Sequence, residues 1–439
     1  MARIEAFRGY RYASDDADIS SLCAPPYDVL SQEQRDALEA GNAHNAVVLE
    51  LAPGALDLET PRNRYVTAAA TWEAWKRDGV LVRDEQPCIY LLEQCFEVEG
   101  AQHRRSVFIC QVQVRPFADK VVLPHELTLP KALGDRYRLI STTHANFSSV
   151  FGLFNWNGDD YQHLIDGIKE GPVAACATDA DGVVSRLWLV QDEALIHRIQ
   201  EALDGECIFI ADGHHRYTTA VAYRDAARQA RYGTVDAQDL PGFDAEADSE
   251  YTLISLANMR DPQLVVLPYH RAVKAAGAFD AAAFLARMGG LFELEMGATQ
   301  EDLDACERGR VAFLMKVAGM DGLVLARIKA DVDLDAAITS EHSPAWKRVD
   351  YAALQELVLG PIFGIDPRDA GTLTRMAYSK RVEDLDARVA SGESDVAFHM
   401  RPIMMEQLQD VSLSGETMPR KSTYFYPKLP SGMVYRGME

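Results

Sequence analysis

The stretch that most constrains the fold is residues 206–223, where a short apolar segment, a two-residue turn and a helical pattern follow one another. Residues 207–211 are apolar and rich in residues that favour strands, and residues 217–224 carry apolar positions at helical spacing. Asp212 is a good N-cap residue, and Gly213 permits a sharp change of direction. The pattern predicts a buried strand that turns directly into a helix.

Three basic or titratable side chains lie at the predicted helix start. His214, His215 and Arg216 follow the turn immediately. The first turn of a helix presents backbone N–H groups and the positive end of the macrodipole, so these residues favour a site for an anionic phosphate. The alternative is an ordinary capped strand–turn–helix unit without a ligand.

Composition narrows the class of protein. The 439 residues are 48% hydrophobic and 25% charged, with a net charge of −22. Such a length predicts two or three domains, which we place at residues 1–275, 276–345 and 346–439. The acidity argues against nucleic acid as a partner. The sequence shows no signal peptide and no apolar run of roughly 18 to 20 residues, so we expect a cytoplasmic protein without a membrane partner. Assembly into a homo-oligomer stays open.

The cysteines and histidines do not form a recognisable metal motif. Seven cysteines are scattered without a Cys-x-x-Cys pair, so we expect reduced thiols and no zinc motif. His125 and Glu126 lack a second histidine four positions after the first, as a His-Glu-x-x-His motif would require. Neither haem nor flavin is expected.

The remaining chain predicts an α/β (α+β) protein with mixed sheets and packed helices. We expect a hairpin around Glu99-Gly100 and a helix capped by Ser31 and Gln34. We also expect a strand at residues 47–51 and a helix at residues 343–358 that Gly360-Pro361 interrupts. Residues 233–250 are acidic and predict a solvated loop near the site. The aromatic C-terminal stretch should pack back on the fold.

Four further groups of polar side chains are candidates for function. The Pro25-Pro26 pair should hold the next two residues rigidly. His125 and Glu126 precede a basic segment. A basic pair, His270 and Arg271, follows an apolar run. The Lys-Ser-Thr group near the C-terminus lacks the glycines of a P-loop. The candidates in these groups are Tyr27, Asp28, His125, Glu126, Arg136, His270, Arg271, Lys421, Ser422 and Thr423.

Five separated motifs resemble the bacterial and archaeal family known as domain of unknown function 1015. In chain order they are residues 24–29 (Ala-Pro-Pro-Tyr-Asp-Val), 124–126 (Pro-His-Glu), 211–217 (Ala-Asp-Gly-His-His-Arg-Tyr), 268–271 (Pro-Tyr-His-Arg) and 418–423 (Met-Pro-Arg-Lys-Ser-Thr). The resemblance covers nearly the whole chain.

The Asp-Gly-His-His-Arg element is also similar to the phosphate-binding turn of the ParB/sulfiredoxin superfamily. This similarity implies a ParB/sulfiredoxin-like nucleotide-binding core in which residues 213–216 hold nucleotide phosphate. Sulfiredoxin needs a cysteine where this chain has His214, so repair of sulfinic acids is not expected. A partition protein needs a basic DNA-binding domain, which the composition does not support. The free-serine kinase of that superfamily remains, together with the reverse direction, phosphoserine dephosphorylation.

The resemblance therefore leads to the hypothesis of a nucleotide-binding phosphotransferase that acts on serine or phosphoserine, with ADP or ATP and Mg²⁺. Asp212, Gly213, His214, His215 and Arg216 would hold the phosphates, and Lys421, Ser422 and Thr423 would close over them. Asp28 or Glu126 would be the base, with His214 and His215 as further catalytic candidates, and Asp212 would cap the helix or place Mg²⁺. The substrate would contact Tyr27, His125, Arg136, His270 and Arg271. The alternatives are a non-catalytic nucleotide-binding regulatory protein and a metal-dependent hydrolase that uses His125, His214 and His215.

Overall fold

The computed structural model describes residues 2–14, 17–56, 60–126, 130–156 and 158–438, apart from the side chains of residues 130–132. It is a mixed α/β protein, as the sequence predicts. Its strands are β1 (Ile4–Glu5), β2 (Tyr10–Tyr12), β3 (Leu81–Arg83), β4 (Ile89–Val98), β5 (Ala101–Gln113), β6 (Val122–Leu123), β7 (Ala145–Asn146), β8 (Val150–Phe154), β9 (Ala175–Thr178), β10 (Val184–Val190), β11 (Ile208–Asp212), β12 (Tyr251–Asn258), β13 (Val265–Leu267), β14 (His270–Val273), β15 (Phe292–Ala298), β16 (Ala312–Val317), β17 (Leu323–Ile328), β18 (Met376–Ser379), β19 (Val396–His399), β20 (Tyr424–Tyr426) and β21 (Arg436–Gly437).

The helices are interleaved with these strands. They are α1 (Gln32–Gly41), α2 (Val47–Glu50), α3 (Arg64–Arg77), α4 (Pro130–Thr143), α5 (Tyr161–Lys169), α6 (Glu193–Ala202), α7 (His214–Tyr232), α8 (Ala281–Met288), α9 (Gln300–Asp304), α10 (Leu334–Ala337), α11 (Pro344–Lys347), α12 (Asp350–Leu354), α13 (Gly360–Phe363), α14 (Ala370–Leu373), α15 (Val382–Ala390) and α16 (Met405–Leu413). A π-helical segment, Gln355–Leu359, joins α12 to α13. Short 3₁₀ helices cover Ser20–Leu22, Phe117–Asp119 and Asp248–Glu250.

The chain divides into two compact units, each discontinuous in sequence. The first contains Met1–Pro124, Thr128–Leu264 and Pro427–Glu439, and the second contains His125–Leu127 and Val265–Tyr426. The three regions expected from the sequence stay a prediction.

The first unit is built on a nine-stranded mixed sheet. Its order is β6-β11-β8-β12-β5-β4-β10-β9, and β1 pairs with β5. Every residue of β8 and β12 is buried, as expected for strands at the centre of a sheet that is covered on both faces. The apolar core joins the sheet to α5, α6 and α7 through residues such as Ile165, Ile199 and Tyr217. This sheet places the start of α7 at one strand end.

The second unit contains a six-stranded sheet of order β15-β17-β16-β19-β14-β18. Helix α15 packs against its β14, β18 and β19 strands. The tail strand β20 pairs antiparallel with β13, so Tyr424 lies opposite Leu267. Further along, β21 pairs with β7 within the first unit. The β20 pairing places the aromatic residues 424–426 beside β13, while packing of the tail on a functional site stays a prediction.

Several local predictions are confirmed and several are wrong. Ser31 and Gln34 form the expected capping box of α1, and the Glu99-Gly100 turn, with both φ angles positive, joins β4 to β5. Residues 47–51 are mostly helical, not a strand, because the buried residues Val47–Glu50 form helix α2, which contacts helices α1 and α3. Gly360-Pro361 does not interrupt the helical run, because Pro361 lies in the first turn of α13, where a missing N–H is tolerated.

Candidate functional site

The turn between β11 and α7 has the predicted strand–turn–helix form. Gly213 adopts φ 83° and ψ 29°, a left-handed conformation that favours glycine. A Cβ at this position would lie 2.8 Å from Nε of Arg216. Glycine is therefore required twice, once for the backbone angle and once so that the arginine can fold back over the turn.

Asp212 does not cap the helix, so this prediction is wrong. The N-cap residue is Gly213, and no side chain among the described residues caps α7. Asp212 belongs to β11, and its carboxylate Oδ2 instead lies 3.3 Å from Nη2 of Arg216 and 3.2 Å from Nζ of Lys428. Two cations thus converge on one carboxylate beside the start of a 19-residue helix.

The ion cluster is mostly shielded from water. The side chains of Asp212, Arg216 and Lys428 are 20%, 11% and 18% exposed. Burial alone would raise the pKa of Asp212, but Lys428 and Arg216 hold it well below its ordinary value, with a smaller contribution from His214. The lowered pKa favours the ionised form of Asp212, whose single charge is exceeded by that of its two partners.

Arg216 is held firmly in place. Its Nη1 donates to the backbone carbonyl of Ser149. Burial disfavours its charge, but Asp212 first and Asp28 second raise its pKa above the ordinary value. Its buried Nε–H has no hydrogen-bond partner in the part of the chain that the structure describes. The guanidinium thus stays charged and keeps an unsatisfied donor.

The two histidines open the helix. His214 is buried and its carbonyl accepts from Oγ1 of Thr218, as in an ordinary helical turn. His215 is half-buried. Both follow Gly213 directly, as the sequence predicts, and so lie in the first turn of α7, where the macrodipole favours an anion.

Tyr27, Asp28 and Arg136 lie in the same unit as this turn. The ring of Tyr27 covers the Arg136 guanidinium at 3.9 Å. Burial raises the pKa of Tyr27 to about 12, against the opposing effect of Arg136 and Arg216. Asp28 is exposed. Tyr27 and Asp28 both help to raise the pKa of Arg216. The Pro-Pro-Tyr-Asp motif therefore lies near the turn.

Arg136 is part of a buried ion network. Its Nη1 donates to Oε2 of Glu50 at 2.9 Å and its Nη2 to Oδ2 of Asp135 at 2.6 Å. Arg136 and Glu50 are 5% and 4% exposed. Glu50 is not among the residues predicted from the sequence. The sequence feature that could have identified Glu50 is a lone carboxylate within an apolar segment, because a buried carboxylate requires a paired cation.

The second unit gathers another group of predicted residues. Nε2 of His125 lies 2.8 Å from Oγ1 of Thr423, and the His125 carbonyl accepts from N–H of Met418. Ser422 donates through Oγ to the carbonyl of Pro419. Nζ of Lys421 lies 5.0 Å from the centre of the Tyr269 ring. His125 of the Pro-His-Glu motif therefore contacts the Met-Pro-Arg-Lys-Ser-Thr motif within this unit.

His270 and Arg271 are buried in the second unit. Nδ1 of His270 accepts from N–H of Met400 at 3.0 Å. Arg271 donates to the carbonyls of Tyr269 and Arg420, and burial lowers its pKa, opposed by Tyr351, Tyr378 and Glu126 in that order. A role for this pair in substrate binding stays a prediction.

The described residues contain no group of three or more His, Cys, Asp or Glu side chains that could hold a metal ion. Asp212 does not fit a Mg²⁺ ligand, because Oδ2 already faces Arg216 and Lys428. No described helix is both long enough and apolar enough to span a bilayer.

The structure places the predicted residues in two groups. Tyr27, Asp28, Arg136 and residues 212–216 belong to the first unit, and His125, Glu126, His270, Arg271 and residues 421–423 belong to the second. Lys428, which is not among the predicted residues, is the lysine that contacts Asp212. A single composite site made from both groups stays a prediction.

The fold and the turn define a mixed α/β protein with a cation-rich strand–turn–helix element. The chain belongs to the family described as "Protein of unknown function (DUF1015)", whose model matches residues 4–352. This confirms the family expected from the five motifs. The similarity of the turn to the ParB/sulfiredoxin superfamily stays a prediction. None of the curated proteins compared with the chain matches it significantly.

Solved structures similar to this chain share little sequence with it. A conserved hypothetical protein from Pyrococcus furiosus is 14% identical, with 74% of this chain and 93% of that chain covered and a TM-score of 0.33. A free serine kinase in complex with AMP is 15% identical, with coverages of 73% and 86% and a TM-score of 0.33. SbnI with a C-terminal truncation, from Staphylococcus aureus, is 12% identical, with coverages of 74% and 86% and a TM-score of 0.32. At these TM-scores the similarities do not define an activity for this chain.

Proposed function

We propose that this protein is a nucleotide-binding phosphotransferase that acts on serine or phosphoserine. One observation carries the proposal: Arg216 and Lys428 converge on Asp212 beside the first turn of α7. Two cations against one carboxylate leave a positive charge at the end of the helix that attracts anions. The nucleotide phosphates would bind there, with Gly213 allowing close approach of the backbone.

Asp212 would act as a positioning residue in this scheme. It holds Arg216 and Lys428 in place before the nucleotide arrives, so less side-chain entropy is lost on binding. Phosphoryl transfer depends mainly on positioning and on neutralising charge, which two fixed cations and a helix start can supply.

In the kinase direction, the hydroxyl oxygen of serine would attack the terminal phosphorus of the nucleotide. A carboxylate, Asp28 or Glu126, would take the hydroxyl proton as the new O–P bond forms. The bond between that phosphorus and the bridging oxygen would break, and the shortened nucleotide would leave with the electron pair. Dephosphorylation of phosphoserine is the alternative direction.

The first experiment is calorimetric titration of the protein with ADP and ATP. We expect saturable binding that Lys428→Met and Arg216→Met weaken about tenfold or more, because each removes a charge at the phosphate position. Arg231→Met, which changes an exposed arginine of the same helix, should bind normally. Lys421→Met tests whether Lys421, which the sequence predicts to contact the phosphates, also contributes to nucleotide binding.

The second experiment measures turnover of serine with each nucleotide and release of phosphate from phosphoserine. Asp28→Asn and Glu126→Gln identify the base, since only one of them should abolish turnover while nucleotide binding persists. Binding without any product would identify a non-catalytic nucleotide-binding regulatory protein. Absence of nucleotide binding would reject the proposal.

A further inference from the structure

A cavity of about 540 Å³ lies in the first unit, and of the site residues predicted from the sequence only Tyr27 is among its described lining residues. It opens between the start of α1, the start of α3 and residues 51–56. Its volume is within the range of sites for small molecules. Its lining includes Tyr27, Arg35, Leu51, Pro53, Leu56 and Arg64.

The described charged residues that line this cavity are both cations. Among the described residues that line it, Arg35 and Arg64 are cations and none is Asp or Glu. Gln32 and Arg64 are the first residues of α1 and α3, which are 10 and 14 residues long. The positive ends of two helix dipoles therefore reinforce two guanidinium groups.

Arg64 is poorly compensated by the protein. Its Nη1 lies 3.8 Å from Oδ1 of Asp135, which is too long for a hydrogen bond. Asp135 already accepts from Arg136 and from the hydroxyl of Tyr65. Burial lowers the pKa of Arg64; Asp135 opposes this change, and Arg136 and Arg35 add to it. The guanidinium of Arg64 is 17% exposed and can still donate to a ligand.

Arg35 pairs with two carboxylates but keeps one unsatisfied donor. It is 8% exposed, and its Nε donates to the carbonyl of Leu51. Its Nη1 pairs with Asp36 at 2.7 Å and with Glu39 at 2.6 Å. Its buried Nη2 has no hydrogen-bond partner within the described ranges. A buried donor left unsatisfied costs free energy that a bound anion could recover.

Part of the remaining lining is apolar, alongside the polar side chains of Ser31 and Gln32. Leu51 and Pro53 contribute, and Leu56 is 58% exposed at the cavity, although such a side chain gains free energy when it is covered. We propose that this cavity binds a small organic anion whose carboxylate or phosphate pairs with Arg64 and whose apolar body covers Leu56. This inference does not depend on nucleotide binding at Gly213.

The test uses phenylacetate and phenyl phosphate as probes and neutral phenylacetamide as the uncharged comparison. Ligand-detected NMR and calorimetry at millimolar concentration should show binding of at least one anion and weaker binding of the amide. Arg64→Gln should weaken anion binding about tenfold. Arg62→Gln, which alters an exposed arginine two positions away, is the matched control and should not weaken it.

A second variant controls for the possibility that Arg64→Gln loses anion binding because it unfolds. Leu56→Glu places a carboxylate at an exposed position, so the fold should be kept while the anion is repelled. Lys428→Met, which alters the proposed nucleotide site at a residue outside the described cavity lining, should leave probe binding unchanged, which separates the two sites. If neither anion binds, if the amide binds equally well, or if Leu56→Glu and Arg64→Gln bind the anion normally, the proposal is wrong.

Discussion

Gly213 has two roles in the turn: it adopts the left-handed backbone conformation, and it leaves room for the Arg216 side chain. A pair of variants separates these roles. Gly213→Ala should cost about 1–2 kcal/mol for the left-handed backbone, and more because its Cβ would press on Arg216. Gly233, at the other end of α7, has φ 75°, and a Cβ added there would meet open space among the described residues. We expect Gly233→Ala to show the backbone cost alone and normal ADP binding. Urea unfolding and calorimetry measure both effects.

His270 should make stability depend on pH. Burial first and then His399 lower its pKa to about 4; Arg271 adds to this, while Glu383 and Asp386 oppose it. Between pH 6.5 and about 4 the unfolded chain binds a proton that the folded chain does not, so stability falls as pH falls through this range. The shift from 6.5 to about 4 corresponds to about 3 kcal/mol.

The variant His270→Asn tests this expectation, because an amide oxygen can still accept from Met400 but cannot titrate. Urea unfolding across the range should show a flatter pH profile in the variant. His197→Asn changes a histidine that is 72% exposed and should keep the profile of the unaltered protein. Identical profiles for all three proteins would contradict the assignment to His270.

Among the secondary-structure elements, some local sequence patterns gave correct predictions, whereas conformations decided by tertiary packing were not predicted. The capping box of α1 and the Glu99-Gly100 hairpin depend on residues a few positions apart, and both are confirmed. The sequence predicts a strand where helix α2 lies, because a four-residue segment shows too little periodicity to distinguish a helix from a strand. Its packing against α1 and α3 decides its conformation, and that information is not local.

The acidic segment 233–250 ends in an ion pair that should be important for stability. Glu250, 2% exposed, accepts from Nη2 of Arg228 at 2.6 Å. Glu250→Gln leaves a buried cation without its counter-charge and should cost about 3 kcal/mol in the free energy of unfolding. Asp244→Asn removes a half-exposed partner of Arg231 and should change it by only about 0.5 kcal/mol. Equal effects in denaturant titrations would refute the distinction.

At the scale of the whole molecule, the first unit needs the last residues of the chain. Tyr435 is fully buried, and Arg436 donates to Gln111, to the carbonyl of Tyr251 and to Asp248. A protein that ends after Tyr426 should lose cooperative unfolding of the first unit and become sensitive to protease. A protein that lacks only the last two residues is the control. Unchanged protease resistance in the shorter protein would be evidence against this dependence.

The same long-range order explains what the sequence could reveal of the site. Asp212, Gly213, His214, His215 and Arg216 are contiguous, so their joint placement followed from one turn. Lys428 and Glu50 lie far from them along the chain and carry no local motif. Only the paired β-strands and packed helices of the fold bring such residues to Asp212 and Arg136.

The discontinuous first unit also sets an order of events during translation. Its residues up to Leu264 emerge before Val265–Tyr426 of the second unit, and its closing segment begins at Pro427. Ribosomes add about 5–20 residues per second, so the intervening segment takes about 10–30 seconds to make. For that time the first unit waits without β21 beside β7 and without Lys428 beside Asp212. We expect co-translational folding of the first unit to stay incomplete until residues 427–439 have left the ribosome.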